Sequence, residues 1–237
     1  MITKGILYLI PSTLGDTTAE MVLPSHISTI INTIDEYIVE DPKSARNFLK
    51  RAGINIPFNR IIMHPLNKHS NTTEIISYLN SAETGKNIGL ISDAGCPCIA
   101  DPGADMVAIA HRKNIRVVPL VGPSSILLAL MASGFNGQNF TFHGYLPKEK
   151  NDRIRKLKEL EKHTQEKNQT QLFIETPFRN QHLLQDIINT CKTETRLCIA
   201  CDLTLPTEYI KTKSIYDWKK SDLPDINKRP AIFLLYQ

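Results

Sequence analysis

Residues 88–103 read Ile88-Gly-Leu-Ile-Ser-Asp-Ala-Gly-Cys-Pro-Cys-Ile-Ala-Asp-Pro-Gly103. The apolar run Ile88 to Ile91 has the length and composition of a buried strand. It breaks into Ser92, Asp93, Ala94, Gly95 and Pro97, which are turn formers or carry small side chains. Asp101-Pro102-Gly103 follows, and Asp before Pro reads as a helix N-cap with proline in the first turn. A buried strand thus ends in a loop with exposed backbone, and a helix leads away. In open α/β sheets, ligands bind at that carboxyl end.

The rest of the chain repeats the pattern. Strands are expected at 6–10, 37–40, 61–62, 88–91 and 115–120. Helices are expected between them at 17–33 (interrupted at Pro24), 44–51, 72–81 and 101–112. Such alternation argues for a parallel sheet with helices packed on it. A second cycle begins at Gly122-Pro123-Ser124-Ser125, with helices at 126–133, 148–162 and 179–189 and strands at 140–145, 171–175, 197–202 and 231–236; residues 208–215 read as an edge or hairpin strand. The expected organisation is two α/β domains, residues 1–120 and 121–237, without a long linker.

Composition narrows the class. Of 237 residues, 41% are hydrophobic and 22% charged, as in a soluble globular protein. No apolar run reaches the ~20 residues of a membrane span. The apolar start is cut short by Pro11 with no cleavage site after it, so a first strand is expected rather than a signal peptide, and the cytoplasm as compartment. A net charge of +4 tolerates an RNA partner without demanding one. Five cysteines include the pairs Cys96/Cys98 and Cys198/Cys201. The second pair lies in an apolar strand, where i and i+3 point to opposite faces, so buried thiols are expected and no metal site.

Four loops share one physical character: 11–16, 92–101, 121–125 and 175–179. Each follows an apolar strand, contains Gly, Pro, Ser or Thr, and precedes a helix. Small residues let backbone groups approach a ligand closely. Neither a dinucleotide fingerprint nor a P-loop occurs.

In order and spacing these stretches resemble the tetrapyrrole (corrin/porphyrin) methylase superfamily, and within it the small-subunit ribosomal RNA methyltransferase branch. The resemblance is carried by Leu7-Tyr8-x-Ile10-Pro11-x-x-x-Gly15-Asp16, Glu40-Asp41, Ser92 to Gly103, and Val117-Val118-Pro119-Leu120-x-Gly122-Pro123-Ser124-Ser125. Phe142-x-Gly144-Tyr145-Leu146-Pro147 and Ile174-Glu175-Thr176-Pro177-Phe178-Arg179 extend it over nearly the whole chain. The resemblance implies two α/β domains with a ligand cleft between them, S-adenosylmethionine as cofactor and a homodimer. Carried over by position, the cofactor contacts are Pro11, Ser92, Asp93, Ala94, Gly95, Ile99, Ser124, Ser125, Phe173 and Ala200. The activity implied is 2'-O-methylation of ribosomal RNA in the small subunit. Methylation of a tetrapyrrole or other small molecule, and a non-catalytic cofactor-binding module, are the alternatives.

A ribose hydroxyl nucleophile needs a group to take its proton. The candidates are Asp16, Asp41, Asp101 and Glu175, with Arg179 able to hold a phosphate or fix Glu175; helix capping is the reading preferred for Asp101. The chain departs from the branch at Pro42-Lys43, at His64-Pro-Leu-Asn67, at Cys201-Asp202 and at Lys228-Arg229-Pro230. Six cations, Lys148, Lys150, Arg153, Arg155, Lys156 and Lys158, crowd one helical stretch, interleaved with Glu149, Asp152, Glu159 and Glu161. A mixed-sign surface helix is the preferred reading there, an RNA platform the alternative.

Overall fold

A computed structural model describes residues 3–66 and 72–237; Asn67, one of the departures above, lies outside them. The chain folds as two compact units dividing between Ser124 and Ser125.

The first unit contains β1 (Ile6–Ile10), α1 (Ala19–Val22), α2 (His26–Ile31), β2 (Glu36–Val39), α3 (Pro42–Arg51), β3 (Ile62–Pro65), α4 (Thr72–Ser77), α5 (Asn80–Glu83), β4 (Ile88–Ile91), α6 (Ala104–Arg112) and β5 (Arg116–Pro119). Its five strands are all parallel, in the order β3-β2-β4-β1-β5. β4 is buried along its whole length, as its unbroken apolar run requires of a strand covered on both faces. Gly89 makes that possible. It sits opposite Tyr8 and Tyr37, and a Cβ there would lie 2.7 Å from the Tyr37 ring.

Helices α1 to α3 share one apolar layer with Ile10, Tyr37 and Val39, whereas α5 and α6 share the other with Leu7, Ile38 and Leu90. The chain steps toward β3 through the first layer and toward β5 through the second, as right-handed crossovers demand. The connections leaving β2 and β4 therefore diverge, and a crevice opens at their carboxyl ends. Val39, Glu40, Leu66, Ile91, Ser92 and Pro102 line it.

The second unit contains α7 (Ser125–Ser133), β6 (Phe140–Tyr145), α8 (Lys150–Glu166), β7 (Thr170–Ile174), α9 (Asn180–Thr190), β8 (Arg196–Cys201), β9 (Tyr209–Ser214), α10 (Ile215–Lys219) and β10 (Ala231–Tyr236). Its sheet runs β6-β7-β10-β8-β9, with β6 and β7 parallel and the remaining pairs antiparallel. Trp218, Phe173 and Phe233 anchor the core against α8, α9 and α10, and the Trp218 indole donates to the Leu197 carbonyl (3.0 Å).

The sequence expectations need three local corrections. The helix after the signature loop begins at Ala104, not Asp101, and Gly103 occupies its N-cap at φ 132° without a side-chain cap. The same Asp-Pro pair does cap a helix at Asp41-Pro42, where the Asp41 carboxylate accepts from Ser44 N (2.8 Å). The expected helix over 72–81 is split into α4 and α5, because Tyr78 and Leu79 turn inward to be buried. Helix α10 escaped the sequence reading: it is a single short turn of chain whose cap, Ser214, sits at the end of a strand.

Candidate functional site

β4, β1 and β5 are neighbours, so the loops after them emerge side by side at the carboxyl edge of the first sheet. They are tied to one another. Ser12 N donates to Gly95 O (2.9 Å), and the Ser12 hydroxyl donates to Ser92 O (3.0 Å). The Cys96 thiol donates to Pro123 O (3.4 Å). Gly122 packs so closely on Pro11 that a Cβ would fall 2.3 Å from the proline ring. Ser12 went unremarked in the sequence, although it is the residue that joins two of these loops. Its signal was only a hydroxyl beside Pro11.

Pro11, Ser92 and Gly95 are buried and form the frame of this cluster, whereas Asp93, Ala94 and Ile99 are exposed and able to reach a ligand. The frame holds its loop in a conformation that most residues avoid. Gly95, Cys98, Ala100 and Gly103 have φ of 71°, 69°, 64° and 132°. Left-handed backbone at non-glycine positions costs about 1–3 kcal/mol each and persists only where surroundings fix it.

The exposed rim is acidic. Burial, reinforced by the nearby Glu40 and Asp93 carboxylates, pushes the Asp101 carboxyl up to about 6. The folded chain holds this proton more tightly than the unfolded chain, so its contribution is intact below about 4 and lost as pH rises through about 6. Asp101→Asn is expected to raise the unfolding midpoint relative to the parent at pH 8 and to lose that advantage at pH 4. Thermal denaturation across this range is the check; an advantage unchanged by pH would exclude the carboxylate cluster as its cause.

Cys96 and Cys98 stand in the same loop, and burial holds both thiols above their ordinary range. Cys198 and Cys201, on opposite faces of β8, are pushed up to about 11 by burial. Among the described residues no three His, Cys, Asp or Glu side chains come together as a metal cluster.

Of the other sequence candidates, Asp16, Asp41 and Ser124 belong to the first unit, and Ser125, Phe173, Glu175, Arg179 and Ala200 to the second. Asp16 is fully exposed and pairs with Arg51 of α3 (2.7 Å). Asp41 is the α3 cap. Ser124 and Ser125 are half-buried where α7 begins, and Ala200 is buried in β8 on the face away from α8. The Phe173 ring is wholly in the core, stacked on Phe233 at 6.0 Å, so β7 has only backbone to offer a ligand at that position. Glu175 is buried beside Arg179, which donates to its carboxylate, and Thr176 N donates to the same oxygen (2.6 Å). Arg179 also donates to the Thr176 hydroxyl (3.1 Å). The pair thus fixes the turn after β7.

On α8 the cations are divided. Arg153 is committed to Asp186 of α9 (2.6 Å) and to the carbonyls of Pro147 and Lys148. Arg155 pairs with Asp152 and Lys156 with Glu159. Lys148 precedes the helix, which begins at Lys150 rather than at 148.

Two of the departures prove to be partners. Arg229 donates to the Asp202 carboxylate (2.8 Å), the Thr207 hydroxyl donates to the same oxygen (2.8 Å), and Asp202 N donates to Pro230 O (3.0 Å). The substitutions at 201–202 and 228–230 thus close on each other as one ion-paired joint.

With this geometry in place, comparison with known proteins is informative. The model of the Tetrapyrrole (Corrin/Porphyrin) Methylases matches residues 24–218. "Ribosomal RNA small subunit methyltransferase I" of Vibrio cholerae is 32% identical over 209 residues, 87% of this chain and 67% of that protein. Its namesake in Buchnera aphidicola subsp. Schizaphis graminum is 30% identical over 98% of this chain and 78% of its own length. The one in Bacillus subtilis is 36% identical over 76% of this chain and 58% of its own. Among solved structures, the methyltransferase CobJ superposes with a TM-score of 0.62 at 15% identity, covering 99% of this chain and 94% of that one. The cobalt precorrin-4 methyltransferase CbiF gives 0.61 at 14%, covering 98% and 94%. At those identities the likeness is one of fold. The matched family model and the sequence relatives together carry the assignment: this chain is a methyltransferase and belongs to the tetrapyrrole (corrin/porphyrin) methylase family.

Proposed function

We propose that the protein transfers a methyl group from S-adenosylmethionine to a ribose 2'-hydroxyl of small-subunit ribosomal RNA. The observation that carries this reading is the interlocked loop cluster at the carboxyl ends of β1, β4 and β5, in a chain whose sequence relatives are named for that RNA. The acceptor and a homodimer rest on the family resemblance, and the cytoplasmic setting on a sequence without a long apolar run. No helix of the described residues is long and apolar enough to cross a membrane.

The residues present fit the cofactor. Asp93, Ala94 and Ile99 expose a loop of small footprint, and Glu40, Asp93 and Asp101 supply negative charge suited to an ammonium and a sulfonium. The cofactor supplies a methyl group already activated by positive sulfur. The chain must align the acceptor oxygen with it and receive the hydroxyl proton as the oxygen–carbon bond forms and the carbon–sulfur bond breaks. Asp41 is spent on its cap, Asp16 on Arg51, and Glu175 on Arg179 and Thr176. Asp101, with its carboxyl raised to about 6 and so largely ionised at pH 7, is the proposed proton acceptor.

The test is transfer of tritiated methyl to 30S subunits from cells lacking the protein. Nuclease digestion should recover the label in a 2'-O-methylated nucleotide. Label in a base, or transfer to a tetrapyrrole with none to RNA, would refute the acceptor. In Asp101→Asn the acidic limb of the kcat/KM profile near pH 6 should disappear, with a loss of about 10²-fold or more.

A further inference from the structure

Large aromatic side chains are seldom left in water, yet two stand exposed at the carboxyl ends of the parallel strands β6 and β7. Tyr145 is 61% exposed and Phe178 68%. Tyr145 closes β6 opposite Ile174, beyond a bulge and a Gly144 at φ 65° that redirect the strand. Phe178 lies in the short 3-10 turn Pro177–Arg179.

That turn is rigidly mounted. Arg179 binds both Glu175 and Thr176 across it. Lys228 N donates to Pro177 O (3.0 Å), and the Asn180 amide donates to Arg229 O (2.6 Å), which locks the loop before β10 to it. The same loop holds Lys228 at φ 60°, with its ammonium 5.9 Å from the centre of the Phe178 ring. Lys148, just past Tyr145, is exposed as well. Two of the nearby carboxylates are committed, Glu175 to Arg179 and Asp202 to Arg229; a third, Asp225, accepts from Asn227 N.

We infer that Phe178, with Tyr145 and Lys228, forms a stacking platform for an unpaired nucleobase of the RNA acceptor. The inference rests on the RNA reading above. Exposed rings flanked by cations match what an unstacked nucleotide presents, a π-face joined to a phosphate, and a base stacks on an aromatic side chain whatever its identity. A preorganised ring loses little entropy on binding. The cation beside the Phe178 ring favours this polyanion over a second copy of a chain that itself carries a net charge of +4.

The probe is a single-stranded oligoribonucleotide carrying 2-aminopurine, titrated into the full chain. Binding should quench the fluorophore. Phe178→Leu should abolish the quenching and weaken binding about tenfold or more, while Phe178→Trp retains both. Lys228→Gln should flatten the salt dependence by about one phosphate contact. Parent-like quenching and affinity in Phe178→Leu would overturn the platform. So would a Phe178→Leu chain that sediments as a smaller species while its RNA affinity is unchanged, because a second copy would then be what covers the ring. The two proposals fail separately. Methyl transfer by the parent with an unaltered KM for 30S subunits in Phe178→Leu removes the platform alone; Phe178-dependent quenching without methyl transfer removes the acceptor reading and leaves the platform.

Discussion

Replacing Arg229 by alanine is expected to cost the folded chain about 3 kcal/mol, because the carboxylate it leaves behind cannot return to water. The Asp202 side chain is 9% exposed and accepts from both Arg229 and Thr207 through one oxygen. Arg229 further donates to the carbonyls of Asp225 and Thr207, so one guanidinium joins the end of β8 to the loop that leads into β10. Urea unfolding of Arg229→Ala, Asp202→Ala and the double variant is the measurement. The double variant should be destabilised by clearly less than the sum of the single changes, since the second truncation removes the stranded charge. Strict additivity would show that the pair is not coupled. If the Lys228 loop also presents RNA, the Arg229 variant should lose RNA affinity beyond what its stability alone explains.

Gly122→Ala is the second large effect. The added methyl would fall 2.3 Å from the Pro11 ring, and Pro11 cannot withdraw because the next residue, Ser12, is bonded to Gly95 and Ser92. Overpacking of this kind costs about 1–3 kcal/mol. It should also displace the loops after β1 and β4 together, and S-adenosylmethionine affinity by calorimetry should fall about tenfold or more, given how steeply bound geometry controls recognition. Gly137→Ala is the control, since a Cβ there meets nothing within 4 Å and should leave both quantities unchanged. Unaltered cofactor affinity in a folded Gly122→Ala would exclude this loop cluster from the binding site.

The framework was legible because strands buried on both faces leave continuous apolar runs, and small-residue loops punctuate them. Ile88 to Ile91 and Ala231 to Tyr236 fall where their composition puts them. What stayed illegible was decided by neighbours distant in sequence. Asp41-Pro42 and Asp101-Pro102 are identical dipeptides, yet only the first caps a helix. The second is followed by Gly103, where a side chain would lie 2.9 Å from the Cys98 sulfur, and the helix waits for Ala104. Glu175 and Arg179 were visible as a chemically capable pair, but a carboxylate's availability depends on who already holds it, and that is tertiary information. The same holds for Asp202 and Arg229, whose separate oddities in sequence turn out to be one contact.

The order β3-β2-β4-β1-β5 also governs how the chain can be made. β1 lies between β4 and β5, so neither of its partners exists when it leaves the ribosome. β4 begins roughly 80 residues later, which at about 5–20 residues per second leaves Ile6 to Ile10 unpaired for roughly 4–16 seconds. Through that interval the nascent chain carries an apolar strand without its partners, open to misassembly when translation stalls before Ile88.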